Sequence, residues 1–509
     1  MTFVGELKTT EFGTMVNSIP REISARRIYR RQTPEWTGAP SFSNEVDHMH
    51  KHTGVTEESP EPGGLARGFG SQTAATAIYG VAVLIIATMF AMLNRKILTL
   101  LAQPIGVSLD ASDGQIGFLL GGGLTLFIGL AAVPVGWLAD RWGRKKTLCV
   151  CVLVWSLGTS ACGLAPSYTL LFVAAAMVGI GEAGLSPIAF ALIPDIVPER
   201  RRVFANSVYQ LAVYLGSGVG LLLGGALLER VDGLRPLLPL FLRDLPAWRL
   251  AFFAAAAPAP IVAGLVLLIR TRRATSFVGN EAGSWPPTVR MRPFIKMHRT
   301  TLALIFSGLG FGVFGLNAIA TWIPTVVIRV FGVAIADVGK SIGSTYLVAT
   351  LIGAFIGILG ARQLRARFGV GGPTRAFAIG MLVASLTCGA LMFARTPQQV
   401  YILFGLQVTA LIAVGALTPT LIQDMAPPAL RSRVAGTAVA VGVTMSALSP
   451  VAVGLVSEAL RQSPQGILTA VAVVGALGFA CGAVTMYLAR SSFVETVTAV
   501  NADLLSDRD

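Results

Sequence analysis

Charged residues are scarce in this chain of 509 residues: Asp, Glu, Lys and Arg make up 13% of it, about half the share of a typical soluble domain. Hydrophobic residues make up 53%, and the mean hydropathy is +0.68. A soluble protein with this composition would expose large apolar patches to water. The composition therefore excludes an ordinary soluble protein and favours one that is solvated by lipid.

Signatures of an enzyme, an ATP-driven pump or a metal protein are also missing. The chain has no His-Glu-x-x-His motif, and "GVAIADVGKS" (332–341) ends in Gly-Lys-Ser without the glycine spacing of a phosphate-binding loop. The alternating histidines of "DHMHKH" are a metal-site alternative to the favoured interpretation, a solvated tail. We therefore predict no enzyme, no metal and no cofactor. The histidines are His48, His50 and His52.

The five cysteines lack the spacing of zinc ligands, and all of them fall within apolar runs. We interpret them as small packing residues, which is the usual role of a buried free cysteine. They are Cys149, Cys151, Cys162, Cys388 and Cys481.

What the chain has instead is twelve apolar runs of about 20 residues, each long enough to cross a hydrocarbon core as a helix. The predicted fold is an all-α membrane protein with twelve transmembrane helices in two pseudo-symmetric six-helix bundles. We predict a cytoplasmic tail (1–70), an N-terminal bundle (71–270), a cytoplasmic central loop (271–299), a C-terminal bundle (300–490) and a second cytoplasmic tail (491–509). The first tail is expected to be disordered because it is polar and rich in Pro and Gly.

The net charge of +14 raises the alternative of nucleic-acid binding. The cations cluster instead in alternate short loops between apolar runs, as cytoplasmic loops do. The sequence therefore predicts no nucleic-acid partner, a multi-pass protein of the cell (inner) membrane, and both termini in the cytoplasm.

The two halves are related in sequence. "PIAFALIPDIVPERRRVFANS" (187–207) and "PTLIQDMAPPALRSRVAGTA" (419–438) share an apolar run followed by Asp, Pro, arginines and small residues. Repeats of six spans are typical of alternating-access transporters, whose substrate site lies at the midplane between the repeats.

The segment "GWLADRWGRKKTL" (136–148) follows the second span and carries an acid among cations. A positive cytoplasmic loop explains the basic residues but neither Asp140 nor the glycines Gly136 and Gly143. An aspartate here is suited to cap a neighbouring helix N-terminus. We expect contacts of this kind to hold the cytoplasmic side closed and to break as the halves rock.

This segment resembles the hallmark motif of the major facilitator superfamily, and the resemblance covers about residues 75–490. It implies that Asp140 caps a helix of the opposite half. It also implies that Arg141 or Arg144, next to Lys145, forms a charge relay with Asp195 at the end of helix 4.

A narrower resemblance is to the spinster-type branch, carried by "NRKILTLLAQPIGVSLDASDGQIGFL" (94–119), "GIGEAGLSPIAFALIPD" (179–195), "AWRLAFFAAAAPAP" (247–260) and "ATWIPTVVIRVFG" (320–332). Eukaryotic members of that branch export sphingosine-1-phosphate or lysophospholipids. Where the branch has an aspartate in helix 1, this chain has Asn94, which cannot titrate. Coupling by two carboxylates is therefore in doubt, and Glu182 would act alone.

Glu182 lies in the apolar run of helix 4, about 20 Å from its cytoplasmic end at 1.5 Å per residue. A charge at that depth is costly and indicates a functional site. Burial disfavours an ionised carboxylate and a nearby arginine favours it, so a balanced group takes and releases protons. Arg95 on helix 1 is close enough in depth to pair with it. A structural ion pair is the alternative to proton or substrate coupling.

Further polar residues of the spans form a modest lining for a mostly apolar cavity, although each alone is more often a contact between helices. They are Tyr209, Tyr214, Asn317, Trp322 and Tyr346. Such a lining suits an amphipathic or lipid-like substrate, a lysophospholipid for example, better than a sugar. We predict a secondary transporter of such a molecule, coupled to protons through Glu182, with the substrate, protons and membrane lipids as its partners.

Three alternatives remain open at this point. The chain is an exporter of drugs or organic anions, an uncoupled facilitator of the same superfamily, or a non-transporting membrane receptor on the same fold.

Overall fold

The computed structural model describes residues 74–237, 243–271 and 291–506. The predicted N-terminal tail with His48, His50 and His52 and most of the predicted central loop lie outside these residues. In the described part, twelve helices are long and apolar enough to span a membrane, which confirms the predicted fold class.

The six helices of the first half are α1 Ala75–Leu100, α2 Asp113–Trp142, α3 Arg144–Leu164, α4 Tyr168–Ile196, α5 Arg200–Arg230 and α6 Ala247–Leu267. Those of the second half are α7 Arg299–Phe331, α8 Ile335–Gly360, α9 Ala366–Phe393, α10 Pro397–Met425, α11 Arg433–Ala459 and α12 Gly466–Ala502. Short helices at Ala102–Ser108 and Met291–Met297 flank α1 and α7. The last helix runs on to Ser506, past the predicted start of the second tail.

Helices α4 and α10 are both interrupted at the same point of their sequence repeat. The first runs as Tyr168–Glu182 and Leu185–Ile196, and the second as Pro397–Gly415 and Thr418–Met425. Aligning "GEAGLSP" (181–187) with "AVGALTP" (413–419) puts both interruptions just before a proline. A proline has no N–H for the helix ladder, which explains why each helix breaks there.

The two halves are packed together at one end, named here the Asp110 end after the loop between α1 and α2. Glycines allow this close packing: a methyl group added at Gly117 or Gly121 of α2 would collide with the α11 backbone. In the same way, a methyl group added at Gly339 of α8 would lie 2.7 Å from the Cα of Gly225 in α5. We call this α2–α11 and α5–α8 contact the glycine seam.

At the opposite end, named here the Gly143 end after the turn between α2 and α3, the corresponding helix ends are exposed. Asp140 and Arg141 of α2 and Arg201 and Phe204 of α5 are all exposed there. The structure is therefore closed at the Asp110 end, and the cavity between the halves opens towards the Gly143 end.

One short pattern in the seam resembles an enzyme motif. The run "GKSIG" (339–343) has the Gly-x-Ser-x-Gly spacing of a hydrolase nucleophile turn. It lies inside helix α8 and packs against α5, whereas the motif needs a strand-to-helix turn with an exposed serine. The run is therefore a packing feature of the seam.

Candidate functional site

Glu182 is the last residue before the interruption of α4, and its side chain is only 4% exposed. Close helix packing fixes this position. A side chain at Gly181 would collide with the Trp155 backbone of α3, and one at Gly179 with the backbone of α2. The sequence places small residues around the glutamate because its helix must approach both neighbours closely.

Arg95 of α1 is the partner of this glutamate. Its Nε lies 3.4 Å from Glu182 Oε2, and its side chain is 29% exposed. The pair is loose, because Arg95 Nε and Glu182 Oε1 are both buried without a hydrogen-bond partner among the described residues. Buried polar atoms are normally hydrogen-bonded. Each of these atoms has the capacity for a further hydrogen bond.

Two neighbours of Arg95 on α1 complete the charged site. Asn94 is buried and donates from Nδ2 to the Phe90 carbonyl at 2.8 Å, while its Oδ1 has no partner among the described residues. Lys96 interacts electrostatically with Arg95 and Glu182. The two cations against one acid leave a positive excess when Glu182 is ionised. Sequence reasoning missed Lys96, which is visible in "NRK" only once the helix face is known.

The equivalent positions of the second half carry no charge. Aligning "MLNRKI" (92–97) with "GLNAIA" (315–320) pairs Arg95 with Ala318 and Lys96 with Ile319. The α4–α10 alignment pairs Glu182 with Val414. The two asparagines of the first alignment do correspond, since Asn317 also donates to the carbonyl four residues before it, at 3.1 Å.

The second half contains an apolar cavity of about 320 Å³ next to the position that corresponds to Glu182. Val414 lines it together with side chains of α7, α9, α10 and α11, among them Leu316, Phe377 and Leu411. Tyr214 of α5 reaches it from the other half. The first half therefore has a buried charged site around Arg95 and Glu182, named here the charged wall. The second half has an apolar cavity beside the equivalent Val414, named here the apolar wall.

The remaining predicted cavity residues fall into two groups. Tyr346 is near Ser217 and Tyr214, beside the boundary between the halves, with 7% of its surface exposed. Tyr209 and Trp322 are fully buried in the packed core rather than in the cavity. Tyr209 accepts from Thr88 at 3.2 Å, and the Trp322 indole donates to the Pro450 carbonyl at 3.1 Å. The polar atom of each side chain is hydrogen-bonded to a residue of its own half. Tyr209 and Trp322 are therefore core residues, and the prediction that they line the cavity is corrected.

The predicted gate motif is at the Gly143 end, where Arg144 pairs with Asp195 (Nη1–Oδ2 2.6 Å) and donates to the Ala191 carbonyl. Lys145 donates to the Ile269 carbonyl at 2.8 Å. Gly143 has a φ of 98°, a left-handed conformation that favours glycine in this turn. Gly136 has open space around it, so nothing in the packing requires a glycine there.

Two residues of the motif are placed differently from the expectation. Arg141 lies over the Trp137 ring at 5.3 Å from its centroid. Asp140 is exposed and, within the described residues, has no recorded ion pair. The expected cap on the opposite half is therefore not formed in this state, in which the Gly143 end is open.

Sequence reasoning missed a polar cluster that joins the halves at the Asp110 end. Asp113 at the start of α2 and Arg329 near the end of α7 form its centre, at 2.7 Å. A weak signal was present: the capping box of Ser112 and Gln115 in "ASDGQ" marks a helix start at the membrane surface. The pairing across the halves has no signal in the sequence, because the partners are more than 200 residues apart.

The comparisons with known proteins agree with this architecture. The profile of the Major Facilitator Superfamily matches residues 84–450. An MFS-type efflux pump of Mycolicibacterium smegmatis is 25% identical over 425 residues, covering 81% of this chain and 92% of the pump. Protein spinster homolog 1 of Rattus norvegicus is 27% identical, covering 76% of this chain and 75% of that protein.

Among solved structures, a bacterial homolog of the human lysosomal transporter Spinster, in an inward-facing and unoccupied conformation, superposes with a TM-score of 0.69. It is 23% identical, and the match covers 85% of this chain and 99% of that one. This likeness supports the fold.

A double-mutant cycle tests whether Arg95 and Glu182 are energetically coupled. Arg95→Met leaves the buried Glu182 carboxylate with Lys96 as its nearby cation, and breaking a buried ion pair by removing one partner costs up to about 3–5 kcal/mol. We expect a drop of several degrees in the melting temperature of the detergent-solubilised protein.

The double variant Arg95→Met/Glu182→Gln removes both charges, and we expect it to regain most of that loss. Equal melting temperatures for the single and double variants would contradict the coupling.

Proposed function

The chain belongs to the major facilitator superfamily and is a transporter of the spinster type, and we propose that it moves an anionic amphipathic small molecule by alternating access, coupled to protons through Glu182. The observation that carries this proposal is the difference in chemistry between equivalent positions of the two repeats. Residues that occupy equivalent places in the two repeats are charged in the first half and apolar in the second.

The charged wall suits an anionic headgroup. Arg95 and Lys96 outnumber Glu182, so an anion bound between the halves would balance the positive excess. Guanidinium groups bind carboxylate and phosphate oxygens particularly well, because their N–H groups match those oxygens in pairs. A lysophospholipid or a related single-chain phosphate has such a headgroup.

The apolar wall suits a hydrocarbon chain. The cavity of about 320 Å³ around Val414 has Tyr214 and Thr418 as its polar members, and its other lining residues are apolar. A sugar would leave most of its hydroxyl groups without partners there, at a cost for each one. An alkyl chain has no such groups and gains from burial.

Proton coupling follows from the loose ion pair. While Glu182 is ionised, it competes with an anionic headgroup for Arg95. A proton on Glu182 removes that competition, so proton and headgroup binding favour each other. Asn94 cannot titrate, and the proposal therefore assigns the proton to Glu182 alone.

We assign the Gly143 end to the cytoplasm because it carries the basic loop "RWGRKK" (141–146), following the charge rule for membrane proteins. With twelve described spans, this assignment puts both termini in the cytoplasm, and we propose the cell membrane as the location. The present state then opens inwards.

Export of hydrophobic drugs is a second candidate. It is favoured by the similarity to the mycobacterial efflux pump, which extends over 92% of that protein. Such a substrate would use the apolar cavity without needing the charged wall.

Transport in proteoliposomes tests the proton coupling. We expect an imposed pH gradient to drive uptake of a radiolabelled lysophospholipid. Glu182→Gln should abolish the response to the gradient and leave exchange of substrate in place, because the variant is neutral at every pH.

The control is Glu495→Gln, which removes an exposed carboxylate of the last helix and should behave as the parent. Gradient-driven uptake by Glu182→Gln at the parent rate would refute the assignment of the proton.

Binding of a chain-length series tests the apolar pocket. We expect affinity to rise about fourfold for each added CH₂, from about 0.8 kcal/mol of burial, until the pocket is full. Val414→Thr keeps the side-chain shape but adds a hydroxyl, so it should weaken long-chain ligands about tenfold and short-chain ones little.

Titration calorimetry in detergent measures both effects. The matched control is Val484→Thr, at a position on α12 that is 57% exposed. If Val414→Thr lowered the affinity equally for long-chain and short-chain ligands, or did not lower it at all, the hydrocarbon chain of the ligand would bind elsewhere.

A further inference from the structure

A small cavity lies inside the first half, apart from the apolar cavity beside Val414. Its volume is about 10 Å³, and helices α1, α2, α3, α4 and α6 surround it. All of its lining residues belong to the first half, and all except Arg95 are buried. Its polar members are Asn94, Arg95 and Thr159, and we call it the Asn94 cavity.

The Asn94 cavity lies on the Asp110 side of the ion pair between Arg95 and Glu182. Val178 of α4 lines it, one helical turn or about 6 Å before Glu182. Leu98 lines it from α1, three residues beyond Arg95. Helix α1 ends and helix α4 begins at the Asp110 end. The cavity is therefore enclosed by packed helices between the charged wall and the closed end of the molecule.

Two of the residues that line the cavity carry polar atoms without a hydrogen-bond partner among the described residues. Asn94 Oδ1 is an acceptor, because the same amide donates from Nδ2 to the Phe90 carbonyl at 2.8 Å. Arg95 Nε is a donor. The Thr159 hydroxyl donates to the Trp155 carbonyl at 2.8 Å, and its oxygen can still accept. The cavity therefore combines two acceptors with one donor.

This combination matches a water molecule, which both donates and accepts. Buried waters typically make about three hydrogen bonds, and about 10 Å³ is close to the smallest volume that holds one. An anion such as chloride would be repelled by the Asn94 oxygen. A metal cation would be repelled by the charge of Arg95. The chemistry of the lining therefore selects a small neutral ligand over an ion.

We propose that the Asn94 cavity binds one water molecule, held by Asn94 Oδ1, Arg95 Nε and the Thr159 hydroxyl. The water gives Arg95 a second partner inside the first half. When Glu182 takes up a proton, the water keeps the guanidinium hydrogen-bonded and in place for an anionic headgroup, since a bond to water is nearly as favourable as a direct one. Asn94 and Thr159 are positioning residues that act through this water. This role rests on the proposed protonation of Glu182, whereas the water site itself does not.

Hydroxyl-radical footprinting with short X-ray pulses detects such a water, because radicals formed from bound water oxidise the side chains next to it. Cys162 and Phe252 line the Asn94 cavity and are each only 1% exposed. Their matched controls are Cys388 and Phe479, which are fully buried and line neither this cavity nor the apolar one. Methyl groups added to neighbouring glycines would lie 2.6 Å from each control side chain, so the controls have no space for water beside them.

In the purified full chain without substrate, we expect both cavity residues to be oxidised several-fold faster than both controls, as measured by mass spectrometry. Thr159→Val keeps the side-chain shape and removes one partner of the water, and Asn94→Leu removes another. Each variant should lower the rate at Cys162 towards that of Cys388. Unfolding would expose Cys388 as well, so a low rate there shows that the variant is folded.

Thr147→Val is the control variant, because this buried threonine of the same helix donates to the Gly143 carbonyl and does not line the cavity. It should leave the rate at Cys162 unchanged. Glu182→Gln should also keep the high rate, because Arg95 then depends on the water for a partner.

Oxidation of the cavity residues no faster than that of the controls would overturn the water site, and so would a parent rate at Cys162 in both Thr159→Val and Asn94→Leu. A low rate in Glu182→Gln would refute the role of the water as the second partner of Arg95. These rates involve neither substrate nor a pH gradient, so a failure of the water site is distinguishable from a failure of the proposed function.

Discussion

The structure depends on one constraint, the cost of holding charge in the apolar middle of a membrane. Among the described helices, those of the first half hold buried charge where Arg95 lies 3.4 Å from Glu182. The break in α4 before Pro187 ends the regular helix just after the glutamate, and the glycines on either side let three helices close around it. The pair leaves Arg95 Nε and Glu182 Oε1 without a hydrogen-bond partner among the described residues, and the proposed function uses these atoms for the exchange of a proton.

The two repeats use one helical framework for two kinds of chemistry. Asn94 and Asn317 occupy equivalent places and make the same contact with their own helix. Around them the repeats diverge, since Glu182 corresponds to Val414 and the other charges correspond to apolar residues. In the proposed function, this symmetric framework with unequal walls orients an amphipathic molecule. The proposal also separates the site that binds protons from the site that buries hydrocarbon.

Much of this architecture could be predicted from the sequence, because the bilayer restricts the possible folds. Twelve apolar runs predicted the number of helices, and one loop motif indicated the family. The rise of 1.5 Å per residue in a helix predicted that Arg95 lies at a depth close to that of Glu182. The sequence did not reveal which helix face each residue occupies, so Tyr209 and Trp322 were expected in the cavity and are in the core. It also gave no sign that polar residues at distant helix ends meet, since Asp113 and Arg329 look like ordinary membrane-surface residues.

The central claim is that the first half binds the headgroup of the substrate and the second half binds its hydrocarbon chain. The most direct test is an experimental structure of the protein with a lysophospholipid that carries bromine at the end of its chain, located by anomalous scattering. The account predicts bromine in the cavity beside Val414, with the phosphate in contact with Arg95. Bromine on the outer, lipid-facing surface, or a phosphate bound in the second half, would contradict it.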